Sequence, residues 1–207
     1  MTSGPLNASE PVVVAPGGGG VVTLVDGSTF CLSDSAGDVV PGGVQGLFFR
    51  DARVLSRLEL RLDGVLPQPL SVLPEETYGA RFVLRRPPAG GRADSTLLLV
   101  RERLVADGLR EVLTVHNLGS EATSTTLSLW IGADFADLFA VKEGRADAGE
   151  VVARVEGSTL VLSSRDGERG LRAGATGDPL VAPGALTWRV VVPVSYTHLT
   201  LPTNREV

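Results

Sequence analysis

Cysteine occurs once in these 207 residues, at Cys31, so neither an intramolecular disulfide nor a cysteine-built metal site can staple the fold. That usage suits a reducing compartment, and the expected location is cytoplasmic. Aromatic residues make up only 5% of the chain, which leaves few side chains able to stack on a ligand ring. Lysine and isoleucine also occur once each, at Lys142 and Ile131, a bias that reflects coding composition more than chemistry. There is no surplus of positive charge: the formal net charge is −5, spread along the chain rather than gathered in blocks. Phosphate backbones are captured by basic patches, so nucleic acid is not an expected partner. No apolar run approaches the roughly 20 residues needed to span a bilayer. The start, MTSGPLNASEP, lacks the basic and apolar regions of a signal peptide, so no membrane partner is expected either.

What the chain does have is a 43% hydrophobic content in short runs of Val, Leu and Ala, fitting one globular domain of 21.6 kDa. Residues 1–20 are polar or Gly-rich and without period, and are expected to be disordered. Within them, Pro16–Gly20 lacks the Lys–Ser/Thr pair of a phosphate-binding loop and reads as a linker, so no cofactor is implied. From Val21 the period is two. Leu58, Leu60 and Leu62 alternate with Arg57, Glu59 and Arg61. Leu109, Glu111, Leu113 and Val115 alternate with Arg110, Val112, Thr114 and His116, and Leu127, Leu129 and Ile131 with Thr126, Ser128 and Trp130. Turn dipeptides separate such runs: Asp26–Gly27, Asp63–Gly64, Asp107–Gly108, Glu156–Gly157 and Asp166–Gly167. The clearest predicted hairpin joins Leu97–Val105 to Leu109–Asn117 through Asp107–Gly108. The expected fold is all-β, an antiparallel β-sandwich over 21–194. Alternation lapses at 134–140, where Phe135, Leu138 and Phe139 have helical spacing and Asp134 is placed to cap a short helical turn.

Residues 195–207, SYTHLTLPTNREV, differ in composition from the rest: no Ala, Gly or Asp, but three Thr. The string resembles a translated sequencing adapter and is expected to be a non-native tail. The other reading is a genuine final strand, since Tyr196, His198 and Thr200 alternate with Thr197, Leu199 and Leu201.

Several residues invite a chemical reading. Asp134, Asp137 and Glu143 supply enough carboxylates for glycoside hydrolysis, which needs two across the bond, about 5–9.5 Å apart depending on stereochemistry. Their simpler roles are a cap, a turn surface and a neighbour of Lys142, and no catalytic residue is assigned. His116 has no second ligand of matching type near it, so no metal site is expected. Cys31, flanked by Phe30 and Leu32, reads as core. Arg50–Asp51–Ala52–Arg53 follows the apolar Leu47–Phe48–Phe49 and is either a surface turn or a docking surface whose guanidinium forks orient a neighbouring domain. Trp130 lies opposite Leu129 in its run and is a possible sugar contact, though burial in a core or interface would use it as well.

Two stretches carry a family resemblance. Asp134 to Gly144, DFADLFAVKEG, resembles the signature that closes the N-terminal β-domain of bacterial amylo-α-1,6-glucosidases of the glycogen-debranching type. Gly46 to Gly64, GLFFRDARVLSRLELRLDG, resembles the G-L-F-x-R-D-T-R-x-L-S segment that opens it, and Gly108–Leu109–Arg110–Glu111 falls between them in the same order. The resemblance covers roughly Val21 to Val194. Two departures stand out: Ala52 replaces the usual Thr, and Ala140–Val141–Lys142 stands where Glu-Val-Arg is more common. The resemblance implies a non-catalytic accessory domain that packs on a C-terminal helical glycosidase domain missing from this chain. It also implies an interdomain surface drawn from Arg50, Asp51, Arg53, Asp134, Phe135, Asp137 and Phe139, with α-glucan as a possible ligand. A free-standing carbohydrate-binding or scaffold module is the alternative.

Overall fold

The computed structural model describes residues 20–88, 96–146, 149–194 and 196–206. The expected disordered segment and the Pro16–Gly20 linker lie, but for Gly20, outside the described residues. The described residues form sixteen strands and one short helix, in chain order β1 (Val22–Asp26), β2 (Thr29–Ser33), β3 (Gly46–Phe49), β4 (Ala52–Leu55), β5 (Arg57–Leu62), β6 (Gln68–Pro74), β7 (Gly79–Arg85), β8 (Leu97–Val105), β9 (Gly108–Asn117) and β10 (Thr123–Gly132). After them come α1 (Leu138–Lys142), β11 (Val151–Glu156), β12 (Thr159–Ser164), β13 (Gly170–Ala173), β14 (Leu180–Ala182), β15 (Ala185–Val192) and β16 (Tyr196–Glu206). The chain is thus nearly all-β, and its described strand pairs are antiparallel, as the alternation predicts. The strands divide among three sheets: β1-β2-β3-β4, β14-β15-β10-β5, and the eight-stranded β11-β12-β13-β16-β9-β8-β7-β6.

The predicted hairpin forms, with Val105 opposite Leu109 and Leu97 opposite Asn117. Its turn differs from the expectation: Gly108 opens β9 and is not among the positive-φ glycines. Asp63–Gly64 does use the left-handed region, at φ 50° and 80°, and the Leu62 and Val65 backbones bond to each other across it. That is the pair of positive φ values a tight two-residue connection requires.

Inward residues of the three sheets share one core. Leu58, Leu60 and Leu62 of β5 meet Leu127 and Leu129 of β10, Trp188 of β15 and the β8–β9 leucines, and Cys31 lies fully buried in the same cluster. The strict alternation of β8 also carries two arginines inward. Arg101 and Arg103 are 0% and 1% exposed, and Glu111 of β9 sits with them at 1%. Glu111 accepts from Arg101 Nη2 at 3.1 Å and from Arg103 Nε at 2.8 Å, while Arg101 Nη1 donates to Asp38 Oδ1 at 2.5 Å. Burial alone would raise the Glu111 carboxyl, but the two guanidinium groups outweigh it and hold the pKa below its usual value. Asp38 goes the other way: desolvation raises it more than Arg101 pulls it back. Desolvation likewise raises the Cys31 thiol, with Arg103 only partly opposing it, which leaves the thiol inert.

Most of the segment expected to be a tail, Tyr196–Glu206, forms β16. Tyr196–Glu206 lies between β9 and β13, with Tyr196 opposite His116 and Ala173 opposite Thr203. Leu199 is 4% exposed and belongs to the core, so the alternation seen in the sequence is used.

Candidate functional site

The β3–β4 hairpin turns through Arg50 and Asp51, at φ 44° and 64°. Both are left-handed, a conformation that costs a non-glycine residue about 1 kcal/mol or more. The 134–138 segment runs antiparallel beside this hairpin. Arg53 N–H donates to Ala136 O and Leu138 N–H to Asp51 O, both at 2.8 Å, and Ala52 bridges Asp137. The two sequence signatures, joined at Arg53 and Asp134, which are 81 residues apart in the chain, therefore form one structural unit.

Its centre is an ion pair. Arg53 Nε donates to Asp134 Oδ2 at 3.0 Å and its Nη2 donates to the same carboxylate. The Nη1 donates to Gly43 O at 2.6 Å and Gln45 O at 3.1 Å, so the fork ties three stretches of chain together. Arg53 is 4% and Asp134 9% exposed, which makes the pair geometry-dependent rather than freely stabilising. The expected cap is thereby corrected. Asp134 is held by Arg53 and also accepts from Ala136 N–H at 3.3 Å. It is Asp137 that caps α1, accepting from Phe139 N–H at 2.8 Å and Ala140 N–H at 3.3 Å. The helical turn begins at Leu138, a few residues later than its expected start. Phe135, at φ 53°, is only 6% exposed, and its carbonyl accepts from Arg169 Nη1 at 2.7 Å.

Three of the seven expected surface residues, Arg53, Asp134 and Phe135, are thus buried supports. Arg50, Asp51, Asp137 and Phe139 face outward. The Arg50 guanidinium lies 5.0 Å from the centroid of the Phe49 ring, and Phe139 is 61% exposed. Beneath, Phe48, Ala136 and Val141 form a small core of their own, with Phe30 stacked on Phe48 at 4.7 Å. An open depression of about 620 Å³ adjoins the unit, lined in part by Asp134, Phe135, Glu150, Arg165, Asp166 and Arg169. In it Arg165 pairs with Glu150 at 2.5 Å, and a hydrogen bond from Ser164 Oγ lowers the Asp166 carboxyl.

The carboxylates of this unit are engaged in holding it together. The Asp134 carboxylate is occupied by Arg53, that of Asp137 by the helix N-terminus, and Glu143 by Arg145 rather than by Lys142. Its chemistry is to lock two loops into one rigid surface. Elsewhere, His116 is half-buried with its ring 6.1 Å from that of Tyr196. Trp130 stands on the Thr126/Ser128 face of β10, 39% exposed. The sequence reading missed Gly46, whose lack of a side chain gives Arg53 its space, and Arg169, whose contact is to a backbone carbonyl and leaves no pattern. Arg101 and Arg103 were findable: they continue the Leu97, Leu99 register inward.

Comparison with known proteins gives the chain its family and fold relatives. A protein from Escherichia coli K12 assigned as an aldose 1-epimerase superposes with a TM-score of 0.56 at 10% identity, over 90% of this chain and 99% of that one. A protein from the human microbiome assigned as a kojibiose phosphorylase gives a TM-score of 0.44 at 7% identity, over 78% of this chain and 23% of its own. The first likeness concerns the fold alone, and the second is too low to argue from. No curated protein sequence matches the chain. The model of the N-terminal domain of some glycogen debranching enzymes matches residues 24–199, and this chain belongs to that family.

Proposed function

We propose that this chain is the non-catalytic accessory domain of a bacterial, cytoplasmic amylo-α-1,6-glucosidase, and that it packs on a helical catalytic domain through the outward side of the Arg53–Asp134 unit. One observation carries the reading. Both family signatures converge there, and their buried residues spend themselves on holding Arg50, Asp51, Asp137 and Phe139 outward. Strained, non-glycine turn residues cluster at sites where their side chains have a role. A partner domain with carboxylates opposite Arg50 and an apolar pocket for Phe139 fits that surface. Family membership supports the assignment of parent enzyme. We read the domain as a β-sandwich in which the eight-stranded sheet faces the two smaller ones across the shared core. Within it, 21–194 is the native unit and 195–207 a non-native tail. No described helix is long and apolar enough to cross a membrane.

The test has two parts. Source DNA is amplified and resequenced across the codons for Pro193 to Val207, and the reading expects the frame to run on into a helical region carrying paired carboxylates. That region, co-expressed with residues 1–194, should co-purify with them and lose the association in Phe139→Ser. A frame that stops, or association indifferent to Phe139→Ser, overturns the reading.

A further inference from the structure

The outward face of the β14-β15-β10-β5 sheet holds a group of side chains that the Arg53–Asp134 unit does not use. Trp130 projects from β10 between its register partners Glu59 on β5 and Ala185 on β15. The Arg57 guanidinium lies over the indole, 5.1 Å from its centroid. Arg57 Nε donates to Glu59 Oε1 at 2.9 Å, and Arg61 Nη2 donates to Glu59 Oε2 at 3.2 Å. With both oxygens held, Glu59 is 8% exposed although it is on the outer face. Gly132, the register partner of Arg57, makes this possible, since a Cβ there would stand 3.1 Å from Arg57 Cβ. On the other flank the neighbours are small, Ala185 and then Ala182, with a Thr187–Ser128 hydroxyl pair alongside.

Such a surface has a definite chemistry. Arg57 covers one face of the indole, and Trp130 stays 39% exposed beside the small alanines. Arg57 uses only its Nε among the described residues, so its Nη donors remain available beside the Glu59 lone pairs. A pyranose ring presents an apolar C–H face ringed by hydroxyls that both donate and accept. It is recognised by an aromatic plate flanked by oriented hydrogen-bond donors and acceptors. Two arginines around one carboxylate, already oriented by each other, meet that need at little ordering cost.

We propose that this face is a platform for a linear α-glucan, with a glucose ring stacked on Trp130 and its hydroxyls bonded by Arg57 and Glu59. The choice of glucan rests on the debranching-enzyme reading; the geometry of the plate does not. On the intact enzyme it would hold an outer chain of the polymer while the catalytic domain acts elsewhere.

The probe is glycogen cast in a native polyacrylamide gel, with a polymer-free gel as the control and the full 207-residue chain as the sample. Retardation by glycogen, relieved by added maltoheptaose, is the expected result. Trp130→Ala should weaken the apparent association about tenfold or more, and Trp130→Phe only about threefold. Ala182→Arg, at an exposed position, should crowd the platform and carries the test if Trp130→Ala fails to fold. A wild-type chain that migrates freely in glycogen, or variants retarded as strongly as wild type, overturns the proposal. Glucan binding and docking fail separately: co-purification with the catalytic region is indifferent to Trp130, and retardation by glycogen is indifferent to Phe139.

Discussion

Gly46 lies directly under the side chain of Arg53. A Cβ built on Gly46 would come within 2.5 Å of Arg53 Cδ and 2.8 Å of Cγ, and within 2.8 Å of the Leu55 carbonyl. The first residue of the opening signature is therefore there for the sake of its eighth. Gly46→Ala should destabilise the domain by about 1–3 kcal/mol, because a fork bonded on three sides has no room to withdraw. In a thermal melt that is a drop of roughly 2–4 °C per kcal/mol for a chain of this size. An unchanged melting temperature would show that Arg53 can move aside.

The Arg53–Asp134 pair behaves as a buried ion pair, so removing one partner should hurt more than removing both. Asp134→Asn is expected to cost about 3–5 kcal/mol in urea denaturation, since it leaves a guanidinium underpaired in a dry site. The double variant Arg53→Met with Asp134→Leu should lose clearly less than the sum of its single changes. Additive losses would mean that the two side chains act independently.

At the hairpin tip the expected effect has the opposite sign. Arg50 and Asp51 hold positive φ without being glycine, so Arg50→Asn with Asp51→Gly relieves the turn while sparing its backbone bond to Leu138. The isolated chain should gain about 0.5–1 kcal/mol in the same denaturation assay. A loss of stability would show that the Arg50 contact with Phe49 outweighs the strain.

Period-two alternation made much of this legible. The β8–β9 hairpin and the inward set of β5 and β10 follow from it, because one face of each strand must leave water. The place of Trp130 opposite Leu129 follows too. What alternation cannot carry is long-range pairing of charges. Asp134 precedes the helical spacing as a cap would, and only the approach of Arg53 from the first sheet takes it from that role and leaves the cap to Asp137. Phe135 has the look of a surface aromatic at helical spacing, but its positive φ turns it inward. The division into three sheets was equally hidden, since strand order depends on which edges meet after collapse.

Asp137 offers a direct check of the corrected cap. Asp137→Ala should cost about 1 kcal/mol, by orphaning the Phe139 and Ala140 amides, and loosen the presentation of Phe139. Amide hydrogen exchange at 138–142 should quicken while that of β8 and β9 stays slow. Unchanged exchange in α1 would return the cap to Asp134.

The buried charges make stability fall in acid, and Glu111 sets the direction. Its folded pKa lies below the ordinary glutamate value of 4.5, because Arg101 and Arg103 together outweigh the desolvation that would raise it. A group whose folded pKa is depressed lends stability above its unfolded value and withdraws it as pH falls through the folded one. The contribution is therefore whole at neutral pH and is lost progressively below about pH 4.5. Asp38 does not add to this limb, since its carboxyl is raised by burial and its protonated form is favoured on acidification. Glu111→Gln should accordingly cost about 3–5 kcal/mol at neutral pH by leaving two guanidinium groups underpaired. It should also flatten the decline of melting temperature between about pH 5 and pH 3. A variant whose acid limb is as steep as that of wild type would move the origin of that limb away from the Arg101–Glu111–Arg103 cluster.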